Sequence, residues 1–429
     1  MNTHLSQVID QLNPWLKKPD VPVLSIKNPY IPRAQTEKLL LPDWDDFWMI
    51  LTGPRCAGKT TLGKFLAHQW LSEKRFEQFC YLNCDFLEIR EQLKTPIGLV
   101  NLIQELNLIS PVIFIDEVQR LENPGLFLKA IIDLDLPYKL LASGSSQLEI
   151  KSKIQESLTG RQLASIVLPL SYSELDKTTE DLLITGCYPQ IVQASEKNIY
   201  LKQLFDDYIS KDIIEILKIG KPDVMQKLIS LIAHSSGQLV NYNQLATDCH
   251  VSSPTIQHYL SILEKTYVLI ALTPFVGNKR NEITSNPVYY FLDNGFRNQA
   301  LKNFSHLSDR TDAGLLVQSA VFQEIYKYQT QNFMDFSINY WRTKSGAEVD
   351  FVLSKDDQII LPVEVKYRHM RSPEVTRSFR SFIEAYKPQH GVVITKDYRD
   401  KITIDHCEVK FIPLSEIKVL FELISYCLK

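Results

Sequence analysis

The sequence predicts an α/β fold in which helices cover both faces of a parallel sheet. Between about residues 41 and 175, apolar runs of strand length alternate with helical patterns, which is typical of such sheets. Residues 53–60 read GPRCAGKT and lie between an apolar run and a helical pattern. A second apolar run ends in Asp116-Glu117, and ligands bind at the carboxyl ends of parallel strands. Together these observations indicate the sheet of a P-loop NTPase.

The loop at residues 53–60 matches the complete G-x-x-x-x-G-K-[ST] pattern. In this pattern backbone N–H groups surround a polyphosphate, Lys59 supplies a positive charge to the β- and γ-phosphates, and Thr60 supplies a hydroxyl to Mg²⁺. We therefore predict ATP and Mg²⁺ as cofactors. The predicted nucleotide-binding residues are Gly53, Pro54, Arg55, Cys56, Ala57, Gly58, Lys59, Thr60, Thr61, Asp116 and Ser145.

The strands of this sheet are predicted from apolar runs. They cover residues 47–51, 79–82, 111–115, 138–142 and 166–170, with helices after residue 60 and around residues 99–108 and 126–131. One strand is expected to lie between the strand before the P-loop and the strand that ends at Asp116. That order suits ATPases that carry a catalytic Glu.

Polar residues at strand ends and in nearby loops are the candidates for catalysis. Asp116 is predicted to support Mg²⁺ through water, and Glu117 to orient or deprotonate an attacking water. Ser145, at the end of a later strand, could sense the γ-phosphate, although a Ser/Gly turn is the alternative. Arg161 follows a helix and a loop. It is either an arginine finger or an ordinary surface residue.

Length, charge and cysteine content restrict the class of protein. A chain of 429 residues with ordinary globular composition fits about three domains. The net charge of −3 excludes a global basic field, so contact with nucleic acid needs a local patch. No apolar run reaches the ~18 residues of a membrane helix, and no secretory signal is visible. The seven cysteines are scattered, so we expect reduced thiols in a cytoplasmic protein without a membrane partner.

We predict five segments along the chain. They are an N-terminal segment (1–40), the P-loop ATPase domain (41–175), a helical lid or connector (176–225), a winged helix-turn-helix (226–295) and a C-terminal α/β domain (296–429). Three helical patterns followed by two apolar strands indicate the winged helix. Lys279 and Arg280, in its wing, could contact DNA phosphates, and packing against protein is the alternative.

The C-terminal segment carries a second group of ionisable residues. Asp350 lies in one predicted strand, and Glu364 and Lys366 lie two residues apart in the next, so these two face the same side. If the strands pair, Asp350 and Glu364 form a Mg²⁺ site, and Lys366 orients or activates a water for phosphodiester cleavage. The alternative is a hairpin with charges on its solvent face. Residues 364–380 also contain five Lys and Arg against two Glu, a basic patch suited to a phosphate backbone.

Taken together, these motifs resemble a prokaryotic family of AAA-like P-loop ATPases. The resemblance rests on the P-loop, the Asp116-Glu117 strand end, and the sequences SGSS (143–146), ESLTGR (156–161) and GCYP (186–189), together with the winged helix and the Asp350, Glu364 and Lys366 set. It covers nearly the whole chain after about residue 40. It implies a C-terminal region of undetermined function that joins a winged helix to a restriction-endonuclease-like fold, similar to archaeal Holliday-junction resolvases.

One residue departs from the pattern of that family. Its members carry Glu at the head of the helix that opens the nuclease-like region, in a pattern like E-N-x-V-x-x-E-L, whereas this chain has Gln318. Gln318 cannot supply a negatively charged metal ligand. Glu324, about two turns later, either compensates for this loss or is structural.

The sequence therefore predicts an ATP-binding protein whose slow ATP hydrolysis is coupled to a C-terminal module that binds DNA, a protein partner or a second copy of the chain. One alternative is a Mg²⁺-dependent nuclease gated by the ATPase, with Asp350, Glu364 and Lys366 as its catalytic residues. Another alternative is an ATP-controlled oligomerisation switch that has no nucleic-acid substrate.

Overall fold

The computed structural model describes residues 3–18, 20–24, 30–134, 136–144, 162–215, 219–275, 286–356 and 358–428. The chain divides into two compact units, Met1–Pro169 and Leu170–Lys429. Across these described ranges, no helix combines the length and the apolar character that a bilayer crossing needs.

A five-stranded parallel sheet forms the centre of the first unit. Its strands are β1 (Trp48–Thr52), β2 (Gln78–Asn83), β3 (Pro111–Asp116), β4 (Lys139–Gly144) and β5 (Gln162–Ile166). Its helices are α1 (Thr3–Leu12), α2 (Pro14–Lys17), α3 (Thr36–Leu39), α4 (Lys59–Ser72), α5 (Leu87–Gln92), α6 (Pro96–Glu105) and α7 (Pro124–Asp133). The strand order is β2-β3-β4-β1-β5. As predicted, one strand lies between the strand before the P-loop and the strand that ends at Asp116.

Helices cover both faces of this sheet. Strand side chains alternate between two apolar clusters, as expected when both faces are buried. One cluster joins the sheet to α4 through Leu62, Leu66 and Trp70, and the other joins it to α1, α5, α6 and α7. Gly63 brings α4 close to the sheet, because a Cβ there would lie only 2.5 Å from Cε1 of Phe114. The predicted α/β fold with a parallel sheet is confirmed.

The edge strand β2 is covered by the N-terminal segment. The side-chain amide of Asn13 donates to the Tyr81 carbonyl at 2.9 Å, and its oxygen accepts the Tyr81 N–H at 2.6 Å. The indole N–H of Trp15 donates to the Phe79 carbonyl at 2.8 Å. The backbone groups of alternate residues of a strand, here Phe79 and Tyr81, point to the same side. Because these groups point away from β3, pairing with β3 leaves them without a partner. Asn13 and Trp15 therefore take the place of a neighbouring strand.

The last strand of the sheet lies earlier than predicted. The apolar run at residues 166–170 predicts a strand, but β5 ends at Ile166. The N–H of Val167 still donates to the Thr52 carbonyl at 2.7 Å, whereas Pro169 has no N–H to continue the ladder. The run is apolar because Val167 and Leu168 are fully buried, not because it pairs along its length.

The second unit begins with helices and a short pair of strands. The helices are α8 (Thr179–Thr185), α9 (Pro189–Gln193), α10 (Lys197–Asp207), α11 (Pro222–His234), α12 (Tyr242–Cys249), α13 (Ser253–Lys265) and α14 (Asn294–Leu301). The strands β6 (Leu269–Leu272) and β7 (Val288–Phe291) pair antiparallel after α13. The succession from α11 to β7 has the three helices and two strands predicted for residues 226–295, and Ser252 caps α13. Lys279 and Arg280 lie outside the described residues.

A six-stranded mixed sheet completes the second unit. Its strands are β8 (Ser337–Arg342), β9 (Glu348–Lys355), β10 (Gln358–Lys366), β11 (His390–Thr395), β12 (Asp400–Ile404) and β13 (Cys407–Pro413), and its helices are α15 (Ala313–Gln331), α16 (Arg377–Tyr386) and α17 (Lys418–Cys427). The strand order is β12-β13-β11-β10-β9-β8. Helices α15 and α17 pack on one face, and α16 packs on the other. In the antiparallel pair of β9 and β10, Val363 lies opposite Phe351, so Asp350 and Glu364 come next to each other.

Candidate functional site

The loop from Gly53 to Gly58 turns tightly between β1 and α4. The two glycines have φ angles of 135° and 98°, which residues with a side chain rarely adopt. A Cβ on Gly53 would lie 2.2 Å from the Val167 carbonyl oxygen, so only glycine fits at this position. Helix α4 begins at Lys59, and the first N–H groups of a helix have no intrahelical acceptor. The loop therefore has the tight backbone that a phosphate group needs, and it leads directly into a helix N-terminus, which favours an anion.

The ammonium of Lys59 is buried within this loop. It donates to the carbonyl oxygens of Gly53 and Pro54 at 2.9 Å each, and the residue is only 5% exposed. The guanidinium of Arg33 ties the loop to the chain after β5, because it donates to the Ala57 carbonyl and, at 2.7 Å, to the Leu168 carbonyl. Charged acceptors bind an ammonium more strongly than neutral carbonyls do. A phosphate can therefore replace the carbonyl partners of Lys59.

Three hydroxyl groups surround the carboxylate of Asp116. Thr60 donates to Oδ2 at 2.7 Å, Tyr81 donates to the same oxygen at 2.8 Å, and Ser143 donates to Oδ1. Tyr81 and Ser143 belong to β2 and β4, the two neighbours of β3, so each flanking strand supplies one donor. Asp116 is 2% exposed, and a buried carboxylate needs such partners.

Glu117 follows with a left-handed backbone, at a φ of 55°, which is uncommon for residues other than glycine. This conformation ends β3 and leads into a 3-10 turn, Val118–Arg120. The side-chain amide of Gln119 donates to the Glu117 carboxylate. Burial raises the pKa of the Glu117 carboxyl, and the positive charge of Lys59 opposes that shift. A raised pKa brings a carboxylate closer to the range in which it accepts a proton from water.

The residues of the first unit fit ATP with Mg²⁺. The P-loop supplies backbone donors and the Lys59 charge, and Thr60 and Asp116 place two hard oxygen groups 2.7 Å apart, which is the ligand type that Mg²⁺ prefers. Of the predicted site residues, Gly53 to Thr61, Asp116 and Glu117 are brought together. Ser145 and Arg161 lie outside the described residues.

Two residues of this region have no counterpart in the sequence predictions. Arg33 lies in the Pro-containing N-terminal segment, and Tyr81 lies within β2. A single Arg between Pro32 and Ala34 forms no pattern that could be recognised. Tyr81 does leave a weak signal, since it carries a hydroxyl in the middle of an otherwise apolar strand, where such a group needs a partner.

In the second unit, β9 and β10 bring the other predicted residues together. The ammonium of Lys366 lies 3.0 Å from Oε1 of Glu364, as their shared strand face predicts. The N–H of Val365 donates to Oδ2 of Asp350 at 2.7 Å. The side-chain amide of Gln318, from α15, donates to Oδ1 of Asp350, also at 2.7 Å. Thr376, the N-cap of α16, donates to Glu364 at 2.9 Å.

This second donor set fits a divalent cation less well than the first. Mg²⁺ needs oxygen ligands, yet both oxygens of Asp350 accept N–H groups, and Gln318 presents its NH₂ side. Within the described part of the chain, no three His, Cys, Asp or Glu residues are grouped so that they could hold a metal. Burial raises the pKa of the Asp350 carboxyl to about 7, against the effect of the Val365 N–H. Metal binding by Asp350 and Glu364 stays a prediction.

Glu324 does not compensate for Gln318. Its carboxylate lies 3.0 Å from the ammonium of Lys327, and it accepts the N–H of Tyr172 at 2.8 Å. Glu324 and Lys327 are both fully buried. This ion pair holds α15 to the segment at Tyr172, so the role of Glu324 is structural.

A basic surface lies beside the Asp350 cluster. Arg371, Arg377 and Arg380 are exposed, and none of them has an acidic partner among the residues that the structure describes. Arg368, by contrast, pairs with Glu374. Three unneutralised guanidinium groups between residues 371 and 380 form a local positive field, which the overall charge of −3 does not reveal.

Three family models match consecutive parts of the chain. Residues 45–176 match the family described as AAA domain. Residues 176–307 match a domain of unknown function (DUF8612), and residues 313–417 match another domain of unknown function (DUF4143). Together with the P-loop and Asp116 geometry, the first match supports an AAA-like P-loop domain in this part of the chain.

Curated relatives align with most of the chain. An uncharacterized protein of Haemophilus influenzae is 24% identical over 395 residues, which cover 86% of this chain and 93% of that protein. The uncharacterized protein Rv2008c of Mycobacterium tuberculosis is 24% identical over 343 residues, which cover 78% and 73%. The uncharacterized protein MJ1544 of Methanocaldococcus jannaschii is 21% identical over 399 residues, which cover 84% and 85%. The similarity therefore extends well beyond the ATPase domain.

Solved structures with similar parts include two proteins of low sequence identity to this chain. The Thermotoga maritima RuvB Holliday junction branch migration motor is 16% identical, with a TM-score of 0.27, and covers 55% of this chain and 85% of its own. AMPPCP-bound DnaA of Aquifex aeolicus is 12% identical, with a TM-score of 0.29, and covers 57% and 92%. TM-scores at this level are not evidence for a shared function.

Proposed function

We propose that this protein binds and slowly hydrolyses ATP, and that its C-terminal unit binds DNA. The observation that carries the proposal is the contact of Thr60 with Asp116 at 2.7 Å, beside the buried ammonium of Lys59. A Mg²⁺-bound triphosphate requires these groups, and they lie at the carboxyl edge of a parallel sheet, where such ligands bind.

Positioning and charge account for most of the proposed catalysis. Lys59 and the loop N–H groups hold the β- and γ-phosphates, while Thr60 and Asp116 would hold Mg²⁺, which supplies charge stabilisation to the phosphates. Glu117 accepts the proton of the attacking water. Ser145 is proposed to contact the γ-phosphate, and Arg161 is proposed to act as an arginine finger, within the chain or towards a neighbouring copy.

The test of this mechanism separates binding from turnover. We expect Glu117→Gln to keep ATP affinity and to lower turnover by roughly 100-fold or more, because the general base is lost. Glu122→Gln, at an exposed position shortly after it, is the matched control and keeps the parental rate. Parental turnover in Glu117→Gln would refute the role of Glu117. An ATP-dependent change of mass in light scattering, without turnover in the parent, would favour the oligomerisation switch instead.

DNA binding is proposed for the second unit because of its basic surface and its helix arrangement. We propose that residues 226–295 form a winged helix, whose third helix exposes Gln257, His258 and Lys265, and that Lys279 and Arg280 contact phosphates. Arg371, Arg377 and Arg380 would extend the same contact. The segment boundaries near residues 40, 175, 225 and 295 remain predictions of the sequence.

The salt dependence of DNA binding tests this part of the proposal. Replacing Arg371, Arg377 and Arg380 together by Ala should lower the slope of log K against log salt by about 2 to 3, since each phosphate contact contributes about 0.9. The control replaces three exposed lysines elsewhere, Lys129, Lys202 and Lys418, and has the same change in charge. Equal slopes for the two triple variants would argue against the surface, and binding to protein alone would favour a protein partner.

The second candidate function is a Mg²⁺-dependent nuclease that the ATPase gates. The observation in its favour is the convergence of Asp350, Glu364 and Lys366, and the contact of Gln318 with Asp350 weighs against it. Incubation of branched and linear DNA with Mg²⁺ decides between the two functions. Cleavage by the parent that Asp350→Ala abolishes would support the nuclease, and intact DNA with both proteins would exclude it for these substrates.

A further inference from the structure

Tyr81 contacts the nucleotide site, yet the P-loop pattern gives it no role. The residue is 5% exposed, and its hydroxyl donates to Oδ2 of Asp116 at 2.8 Å. In the pair of β2 and β3, Tyr81 lies opposite Phe114, and Asn83 lies opposite Asp116. The Tyr81 ring lies 5.5 Å from the ring of Phe114. The side chain therefore extends along the sheet to reach a carboxylate beyond its own pairing partner.

Tyr81 is fixed from two further directions. Both of its backbone groups bind the side-chain amide of Asn13, at 2.6 and 2.9 Å, and Asn13 is itself 1% exposed. The ammonium of Lys64 lies 4.0 Å from the centre of the Tyr81 ring, where it is attracted by the ring electrons. Lys64 lies one helical turn after Thr60 on α4. The position of the hydroxyl is thus set by the sheet edge and by the helix that follows the P-loop.

Thr60 and Tyr81 donate to the same oxygen of Asp116. The P-loop pattern assigns the Thr60 hydroxyl oxygen to Mg²⁺, and this oxygen could bind the metal through a lone pair while its hydrogen still donates to Asp116. Apart from Thr60, Tyr81 holds Oδ2 and Ser143 holds Oδ1. A carboxylate held by a donor at each oxygen cannot rotate freely, so Asp116 keeps its orientation at the proposed Mg²⁺ site.

We propose that Tyr81 is a positioning residue of the Mg²⁺–nucleotide site and that Asn13, in the N-terminal segment, holds it in place. The inference rests on the proposed binding of ATP. It extends the site to a strand and a segment outside the P-loop. Loss of the Tyr81 hydroxyl weakens the contribution of Mg²⁺ to nucleotide binding and leaves the contacts of the P-loop with the phosphates unchanged.

The experiment measures binding of a fluorescent ATP analogue to the full chain, first in EDTA and then during a Mg²⁺ titration. Tyr81→Phe keeps the ring and its contact with Lys64, and it should raise the Mg²⁺ concentration for half-maximal binding roughly tenfold, as for a lost hydrogen bond to a charged group. Its affinity in EDTA stays at the parental value. Asn13→Leu should shift the Mg²⁺ midpoint in the same direction by a smaller factor.

Two controls separate positioning from general loss of structure. Trp15→Phe removes the neighbouring bond to the Phe79 carbonyl and leaves the Mg²⁺ midpoint unchanged. Tyr200→Phe, at a side chain that is 51% exposed, also leaves it unchanged. A parental midpoint in Tyr81→Phe, with normal binding by the parent, overturns this inference and leaves ATP binding intact. A parent that binds no nucleotide with Mg²⁺ overturns the proposed function itself.

Discussion

Asp116 ends the buried strand β3 and Asp350 lies near the start of β9, and the partners of these two carboxylates differ in kind. Asp116 accepts hydrogen bonds from the hydroxyls of Thr60, Tyr81 and Ser143. Asp350 accepts them from the Gln318 amide and the Val365 backbone. A hydroxyl can rotate and offer its oxygen to a metal, whereas a backbone N–H is a donor only. The same residue type is therefore ready for a cation in the first unit and occupied by fixed donors in the second.

The largest effect is expected at the first carboxylate site. Lys59→Ala removes the ammonium that the P-loop directs at the phosphates, and we expect ATP affinity to fall by roughly 100-fold, as for lost bonds between charged groups. Calorimetric titration with Mg²⁺ and ATP measures this change. Lys94→Ala, at an exposed lysine paired with Glu91, should bind like the parent. Unchanged affinity in Lys59→Ala would remove the basis for distinguishing the two sites.

An intermediate effect is expected from a substitution that makes the Asp350 site more suitable for a cation, as the Asp116 site is. Gln318→Glu replaces the amide donor to Asp350 with a third carboxylate, and the affinity for Mn²⁺ should rise by about tenfold, because affinity follows the charge of the ligands. The measurement is Mn²⁺ binding by electron paramagnetic resonance, in a chain that also carries Lys59→Ala. Adding Asp350→Ala should abolish the gain. Strong Mn²⁺ binding by Asp350 with Gln318 in place would contradict the expected difference in cation binding between Asp116 and Asp350.

A further effect of the Asp350 environment concerns the stability of the second unit at different pH values. The pKa of Asp350 is raised by burial from 3.8 to about 7, so between these values the folded protein keeps a proton that the unfolded chain releases. Stability should therefore fall as the pH rises from about 4 to 7, and then level off. Asp350→Asn, in which Gln318 can turn its amide to match, should lack this part of the slope, a difference of up to about 4 kcal/mol between pH 4 and 7. Urea unfolding at several pH values tests this, and equal slopes would disprove it.

The first site was largely predictable because its chemistry requires a short, contiguous pattern. Gly53, Lys59 and Thr60 are neighbours in sequence, and Asp116 stands out as a carboxylate at the end of an apolar run. Arg33 and Tyr81 were not predicted, since their contacts depend on how distant segments pack. A pattern along the chain cannot show that a tyrosine in one strand reaches an aspartate in the next.

In the second unit, too, contacts between distant segments could not be predicted from the sequence. Strand alternation correctly placed Glu364 and Lys366 on one face, and the pairing of β9 with β10 brought Asp350 close to them. The resemblance to the ATPase family also marked Gln318 as unusual. The sequence could not show that the Gln318 amide turns its NH₂ group to Asp350. This contact joins α15 to β9, and it depends on how the helix packs on the sheet.

The cover that Asn13 and Trp15 provide for β2 has a consequence for how the protein can be handled. A chain trimmed to the start of the ATPase match at residue 45 would expose the carbonyls of Phe79 and Tyr81 along an open strand. Open strand edges recruit strands from other molecules. Such a fragment would self-associate and precipitate, so the amino-terminal helices belong to the smallest piece that can be purified as a monodisperse species.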